Sequence, residues 1–353
     1  MATLHNWLTR ESERLYTEGE SEWAIRFDAF VRDLFAPNYG SALAALPILY
    51  STIPASRGVV WRLVLDYYHA SVLAAWKGNL AQAIGMLTDA VVRARSLSDA
   101  DRFLSYYVRE LLLHAWLDAD APGKVEIVFA TVTEAQSQLG NRDLIARYDV
   151  LRARCLAQIG RAGEALDAFH RALAALDWQP PFYLSFRGSL AEMAGRLDEA
   201  ADDYAHAAAG FEALGYRIEA TGACIGLGAV QARMGEPHDS MMILLPSWET
   251  ARRDINRAHA GMALAAMGQV YSVIDNPDMA SDAFELALSS LRGLGWMRRE
   301  TEVAVERVAA LKASGEAAAQ EWDEAVETAR DHVRALQASD LRARLSELLG
   351  GDS

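Results

Sequence analysis

Apolar residues recur along this chain at i, i+3, i+4 and i+7, the spacing that gathers them on one face of a helix. They do so on both sides of a regular series of turn residues. Gly195, Gly235, Asp275 and Gly315 stand 40 residues apart. Gly160, Asp120, Gly78 and Pro37 continue the series backwards at steps of 35, 40, 42 and 41. Seven residues before the turn a small residue returns: Ser71, Ala153, Gly188, Gly228 and Gly268. Nine residues after it comes a bulky one: Leu87, Phe129, Phe169, Tyr204, Leu244 and Phe284. Twelve after it comes another small one: Ala90, Ala172, Ala207, Ser247 and Ala287. Small residues let two helices approach closely, and a large one fills the adjoining groove. A Gly at the turn ends one helix and releases the chain into the next. The pattern predicts a helix–turn–helix unit repeated about eight times, with helix content above roughly 70%, far over the globular average.

The ends depart from the repeat. Residues 1–57 form divergent N-terminal capping helices, such as one over Glu22–Ala36, where Phe30 occupies a small-residue position. Residues 58–295 form the repeat array. Residues 296–353 form a divergent repeat, with Val308, Gln320 and Glu327 at packing sites, closed by a helix over Ser339–Leu349. Terminal repeats of stacked arrays are usually atypical in this way. The unit at 106–140 also diverges, with Leu113 and Val125 at small positions, and Pro180-Pro181 marks the short step, where the superhelical angle is expected to change.

Met-Gly-Gln-Val-Tyr at 267–271, followed by Ala280, Phe284 and Ala287, resembles the tetratricopeptide consensus. Leu227-Gly228 and the Ala200, Tyr204, Ala207 set match it as well, and the resemblance spans roughly residues 60–290. It implies an all-α, right-handed superhelix of about eight helix pairs with a C-terminal capping helix. Leu139-Gly140, Leu214-Gly215 and Leu294-Gly295 share one phase in the longer unit. That variety is similar to arrays attached to bacterial signalling ATPases and transcription regulators. Here neither a GxxxxGK[ST] phosphate loop nor a DNA-reading helix pair accompanies it.

In that family the first helix of each unit lines a concave groove. Carried over position by position, the resemblance implies a wall of Leu65, Tyr68 and Val72, then Tyr107, Glu110 and His114, then Arg147, Val150 and Arg154. Phe182, Ser185, Ser189 and Glu192 follow, then Gly222 and Ala229, then Met262 and Gln269. The Lys/Asn/Arg set that clamps a C-terminal carboxylate in some members is absent. Aromatic and arginine side chains dominate interface hot spots, so the binding surface is expected between Tyr68 and Glu192, centred on Tyr107, His114, Arg147 and Arg154. The plain alternative is that Arg147 and Arg154 only pair with Glu110 and Glu192.

Charge narrows the partner. Lys+Arg is 34 against Asp+Glu 48, a net charge of −14, which offers no footprint for nucleic acid and no attraction to an anionic membrane. With no apolar run of about 18 residues and no leader-like start, the expected compartment is the cytoplasm. Cys155 and Cys224 are too few for a disulfide framework and are read as reduced thiols. No two of the eight histidines stand at i, i+4, and HExxH is absent, so neither metal nor cofactor is expected. Asp118-Ala-Asp120-Ala-Pro122-Gly123 fails as a calcium loop at Pro122 and Phe129. Asp198-Glu199 and Asp202-Asp203 open a second helix, where acidic groups meet the positive end of its dipole. The expected function is a non-catalytic scaffold or regulatory module for a protein or peptide partner. The alternatives are a ligand- or signalling-peptide-gated sensor, and an enzyme built on the same scaffold.

Overall fold

A computed structural model describes residues 4–36, 38–98, 101–119, 124–138, 142–159, 161–173, 180–315, 319–336 and 339–350. Helix accounts for 87% of the structure, and no strand occurs among the described residues. Three helices come first: α1 (Leu4–Thr17), α2 (Ser21–Phe35) and α3 (Tyr39–Ser51). Helical hairpins follow. They are α4 (Gly58–Ala75) with α5 (Leu80–Arg93), α6 (Phe103–Ala119) with α7 (Lys124–Gln138), and α8 (Arg142–Gln158) with α9 (Ala162–Leu173). Then come α10 (Pro180–Met193) with α11 (Leu197–Ala213), α12 (Arg217–Met234) with α13 (Pro237–Arg253), and α14 (Arg257–Val273) with α15 (Pro277–Leu291). The last hairpin is α16 (Met297–Ser314) with α17 (Ala319–Leu336), and α18 (Ser339–Leu348) packs on both of its helices. The expected turns at Pro37, Asp120, Gly140 and Gly160, and the junction before Pro180, lie outside the described residues.

The small-and-large pattern is the hairpin contact itself. A Cβ built on Gly268 would lie 2.5 Å from the Phe284 ring, and one on Gly228 2.6 Å from Leu244 Cγ. Gly188 faces Tyr204 in the same way, at 3.3 Å. Each pair joins the position seven before the turn to the one nine after it. At the turn, Gly235 takes a left-handed conformation, φ 81°, and caps α12.

The first helices of the hairpins also touch one another in succession, α4 to α6, α6 to α8 and onward to α16. Helices that meet both their own partner and the next first helix form the inner wall of a superhelix. The array curls far enough to bring α3 and the first hairpin against later hairpins. The Trp296 indole N–H donates to Gly78 O at 2.7 Å, Ala81 N–H donates to Leu294 O at 2.9 Å, and Tyr39 donates to Glu219 Oε1 at 2.7 Å.

The N-terminal helices do not merely prolong the stack. Trp61 lies on α4 one and two turns before Leu65 and Tyr68, hence on the inner face. It is fully buried, with Trp7, Trp23 and Phe27 around it at ring separations of 5.9, 4.7 and 5.1 Å. Phe30 sits edge-on to Tyr68 at 6.1 Å. The Arg57 guanidinium pairs with Glu11 and Asp101 and lies over Trp7, which pins α1 in place.

Candidate ligand-binding cleft

Five of the expected site residues form one network between α6 and α8, and the chain itself satisfies most of it. Tyr107 is 2% exposed, covered by α1, whose Leu4 N–H donates to its hydroxyl at 3.3 Å. The Arg147 guanidinium lies 5.5 Å from the centre of that ring. Glu110, also buried, meets His114 Nε2 at 3.3 Å and Arg147 at 3.8 Å. Burial works against its charged form, but His114 and Arg147 outweigh that and hold its carboxyl below the usual range. Arg154 contacts His114 Nδ1 at 3.0 Å and pairs with Asp118, not with Glu192.

The remaining expected residues are dispersed. Tyr68 is half-buried beneath Phe30. The space between α1 and this wall, lined by Leu4, Tyr67, Tyr68 and Tyr107 among others, is only about 10 Å³. Phe182 packs on Phe211 and Tyr216, at ring separations of 4.8 and 5.5 Å, away from the inner face. Ser189 is half-buried near the Tyr204 hydroxyl.

Glu192 stands elsewhere, at the rim of an open cleft of about 430 Å³ on the inner wall of α10, α12, α14 and α16. Gly222, Ala229, Met262 and Gln269, placed on the groove by the repeat phase, line it too. The floor is small and apolar, with Ile225, Gly226, Ala265, Ala266 and Val303. A Cβ on Gly226 would stand 2.8 Å from the Tyr204 ring, so the tyrosine covers the helix backbone only because no side chain is there.

Charge sits at the cleft's edges. Glu192 accepts from Tyr204 and from Arg233, both at 3.1 Å. Arg299 pairs with Glu302 at 3.0 Å, and this carboxylate raises its pKa further. Burial raises the Glu306 carboxyl above its ordinary range. Gln269 and Glu306 make no direct hydrogen bond or ion pair to other described residues. A ligand entering here meets an apolar floor, both signs of charge, and an uncommitted amide and carboxylate.

Sequence reasoning missed Arg233, Arg299, Glu302 and Glu306. Glu302 was within reach, since a step of 40 from Met262 leads to it. The altered packing residues of 296–349 hid that continuity.

Cys155 is buried, and burial pushes its thiol up to about 11; Cys224 is half-buried and also raised. Among the described residues no helix is long and apolar enough to cross a membrane, and no three His, Cys, Asp or Glu side chains gather as a metal site.

No family model and no curated protein matches the sequence. Solved structures do resemble the fold. A Rap protein complexed with competence and sporulation factor aligns with a TM-score of 0.67 at 12% identity, covering 96% of this chain and 92% of that one. The apo form of the quorum sensor NprR from B. thuringiensis aligns at 0.51 and 13% identity, covering 93% and 94%. A signal-transduction ATPase with a tetratricopeptide repeat sensor, from Pyrococcus horikoshii, aligns at 0.53 and 12%, covering 90% of this chain and 50% of that one. The chain is an all-α, tetratricopeptide-like repeat superhelix.

Proposed function

We propose that this protein is a non-catalytic regulatory module that binds a short peptide in the cleft of α10, α12, α14 and α16. The observation that carries this reading is the open inner wall itself, about 430 Å³ with an apolar floor and paired charges at its rim. Clefts of this size, mostly apolar with a few converging polar groups, suit small ligands. Four neighbouring helix axes about 10 Å apart span roughly 30 Å, the length of about nine extended residues. Glu192, of the residues expected from the sequence, belongs to this site, with Arg233, Arg299, Gln269 and Glu306 beside it. The Rap protein complexed with competence and sporulation factor and the quorum sensor NprR support a signalling role for a ligand held on such a scaffold. Residues 1–57 and 296–353 then serve as the two ends of a single binding array.

The test is a thermal-shift screen of a synthetic library of peptides up to about nine residues long against the full chain. A ligand at 100 times its Kd stabilises the folded state by about 2.7 kcal/mol. Hits should lose affinity in Arg233→Ala and Arg299→Ala and keep it in Arg154→Ala. A library without hits, or hits that Arg154→Ala abolishes and Arg299→Ala spares, would overturn the assignment.

A further inference from the structure

The outer side of the array carries a second feature, at the turn from α13 into α14. Corresponding turns use a left-handed residue, and in the flanking units it is glycine: Gly215 at φ 79° and Gly295 at φ 89°. Here the position is Ile255 at φ 57°. A β-branched side chain in this conformation crowds its own backbone and is a genuine outlier. The turn is capped by Ile255 N–H to Arg252 O and Asn256 N–H to Ala251 O, but the isoleucine side chain itself is 65% exposed.

Ile255 stands at the lip of a cleft of about 410 Å³ between α13 and α15, where Trp248, Leu264 and Leu286 form an apolar surface. Leu286 is itself 55% exposed. Two arginines, Arg252 and Arg257, line this surface. The Arg252 guanidinium lies over the Trp248 ring at 4.7 Å. Arg257 donates to the carbonyls of Ser289 and Arg292, at 3.3 and 3.2 Å. Neither pairs with a carboxylate among the described residues, in a chain whose acids outnumber its bases 48 to 34. The dipole of α13 favours Arg252 and Arg253 in its last turn. Arg257, which opens α14, meets the negative carbonyl end of α15 instead, and Ile255 has no such account.

We propose that this outer cleft docks an acidic segment of a partner protein that inserts an apolar side chain between Ile255, Trp248 and Leu286. Charge complementarity selects that occupant: arginines without a carboxylate partner beside an apolar floor accept carboxylates, and arginine with tryptophan is the usual make-up of an interface hot spot. The site lies on the side of the array opposite the inner cleft and stands independently of the peptide reading.

The experiment measures fluorescence anisotropy of a labelled peptide, Glu-Glu-Asp-Phe-Leu-Asp-Glu, with the full chain. One control replaces every acidic residue by Lys, and another replaces Phe-Leu by Ser-Ser. The acidic apolar peptide should bind, and both controls should bind at least about tenfold more weakly. Ile255→Gly and the double variant Arg252→Glu, Arg257→Glu should each weaken binding by a similar factor, while Arg299→Ala leaves it unchanged. Ile255→Gly should also raise Tm by about 2 °C or more, because the strain is relieved. Equal binding of the Lys peptide, insensitivity to Ile255→Gly, or a lowered Tm in that variant overturns the proposal. Loss of binding in Arg299→Ala would place the peptide in the inner cleft and also overturn it. Concentration-dependent self-association abolished by Arg252→Glu, Arg257→Glu would make the occupant a second copy, against the partner assigned here.

Discussion

The inner wall is built alike in both halves of the molecule, yet it is closed in one and open in the other. Over α4 and α6 it presents Trp61, Tyr68 and Tyr107, and α1 and α2 cover these aromatics so closely that about 10 Å³ is left. Over α10 to α16 the same helical phase presents Gly222, Ala229, Met262 and Gln269, and about 430 Å³ stays open. The difference follows from residue size and from what lies opposite. Large aromatics bury much apolar area when covered, and the chain supplies its own cover. Small residues leave room that no described segment of this chain fills. Position on a concave wall is therefore a different property from availability to a ligand.

The comparison predicts its largest effect at Trp61. Trp61→Ala should cost about 3–5 kcal/mol by urea denaturation, because it empties a fully enclosed aromatic site. Met262→Ala, on the open wall, should cost about 1 kcal/mol or less, since water already reaches that side chain. Similar costs at the two positions would mean that the halves are not packed differently.

Gly268→Leu comes next. Its Cβ alone would stand 2.5 Å from Phe284, and overpacking of this kind costs about 1–3 kcal/mol or more. Gly222→Ala meets only the His259 imidazole, at 3.2 Å, and should move the denaturation midpoint far less.

Arg57→Ala tests whether the lid over the closed half is a separable part. The two ion pairs it breaks, to Glu11 and Asp101, are partly buried, so the cost should be about 1–2 kcal/mol. Hydrogen exchange should accelerate roughly tenfold or more in residues 4–17 and stay unchanged across 180–315. Acceleration in both segments would show one cooperative unit instead of two unlike halves.

The smallest effect is a pH dependence on the open side. Burial lowers the His259 pKa from 6.5 to about 4. The folded form thus binds fewer protons than the unfolded chain between these values. Stability from this group is complete above pH 6.5 and is lost as pH falls toward 4. With solvent screening the loss at pH 5 should not exceed about 1 kcal/mol. His259→Gln should flatten that part of the stability profile, and an unchanged slope would remove His259 as its source.

Much of this was legible in the residues. The pairing of Gly268 with Phe284 and of Gly228 with Leu244 follows from the repeat offsets, because hairpin contacts join residues close in sequence. Arg147 does approach Glu110, as charge pairing alone suggested. Arg154 turns instead to Asp118 and His114, a choice of rotamer and local spacing that offsets do not resolve. The cover over Tyr107 was not legible either. It joins residues around Leu4 and Trp7 to residues around 61 and 107, and no periodicity relates those segments.

By itself the sequence determined the repeated helical hairpin, the small-on-large contact at Gly188, Gly228 and Gly268, and the inward-facing positions Gly222, Ala229, Met262 and Gln269. All of these are local, set by helical periodicity, by the left-handed turn residue, and by side-chain volume within a stretch of about 40 residues. Only the tertiary structure decided which part of the inner wall is open. That depends on long-range contacts: α1 and α2 against α4 and α6, and Trp296 against Gly78. The apolar surface these contacts bury comes from segments whose meeting is fixed by the accumulated curvature of the whole stack, a quantity no single repeat encodes.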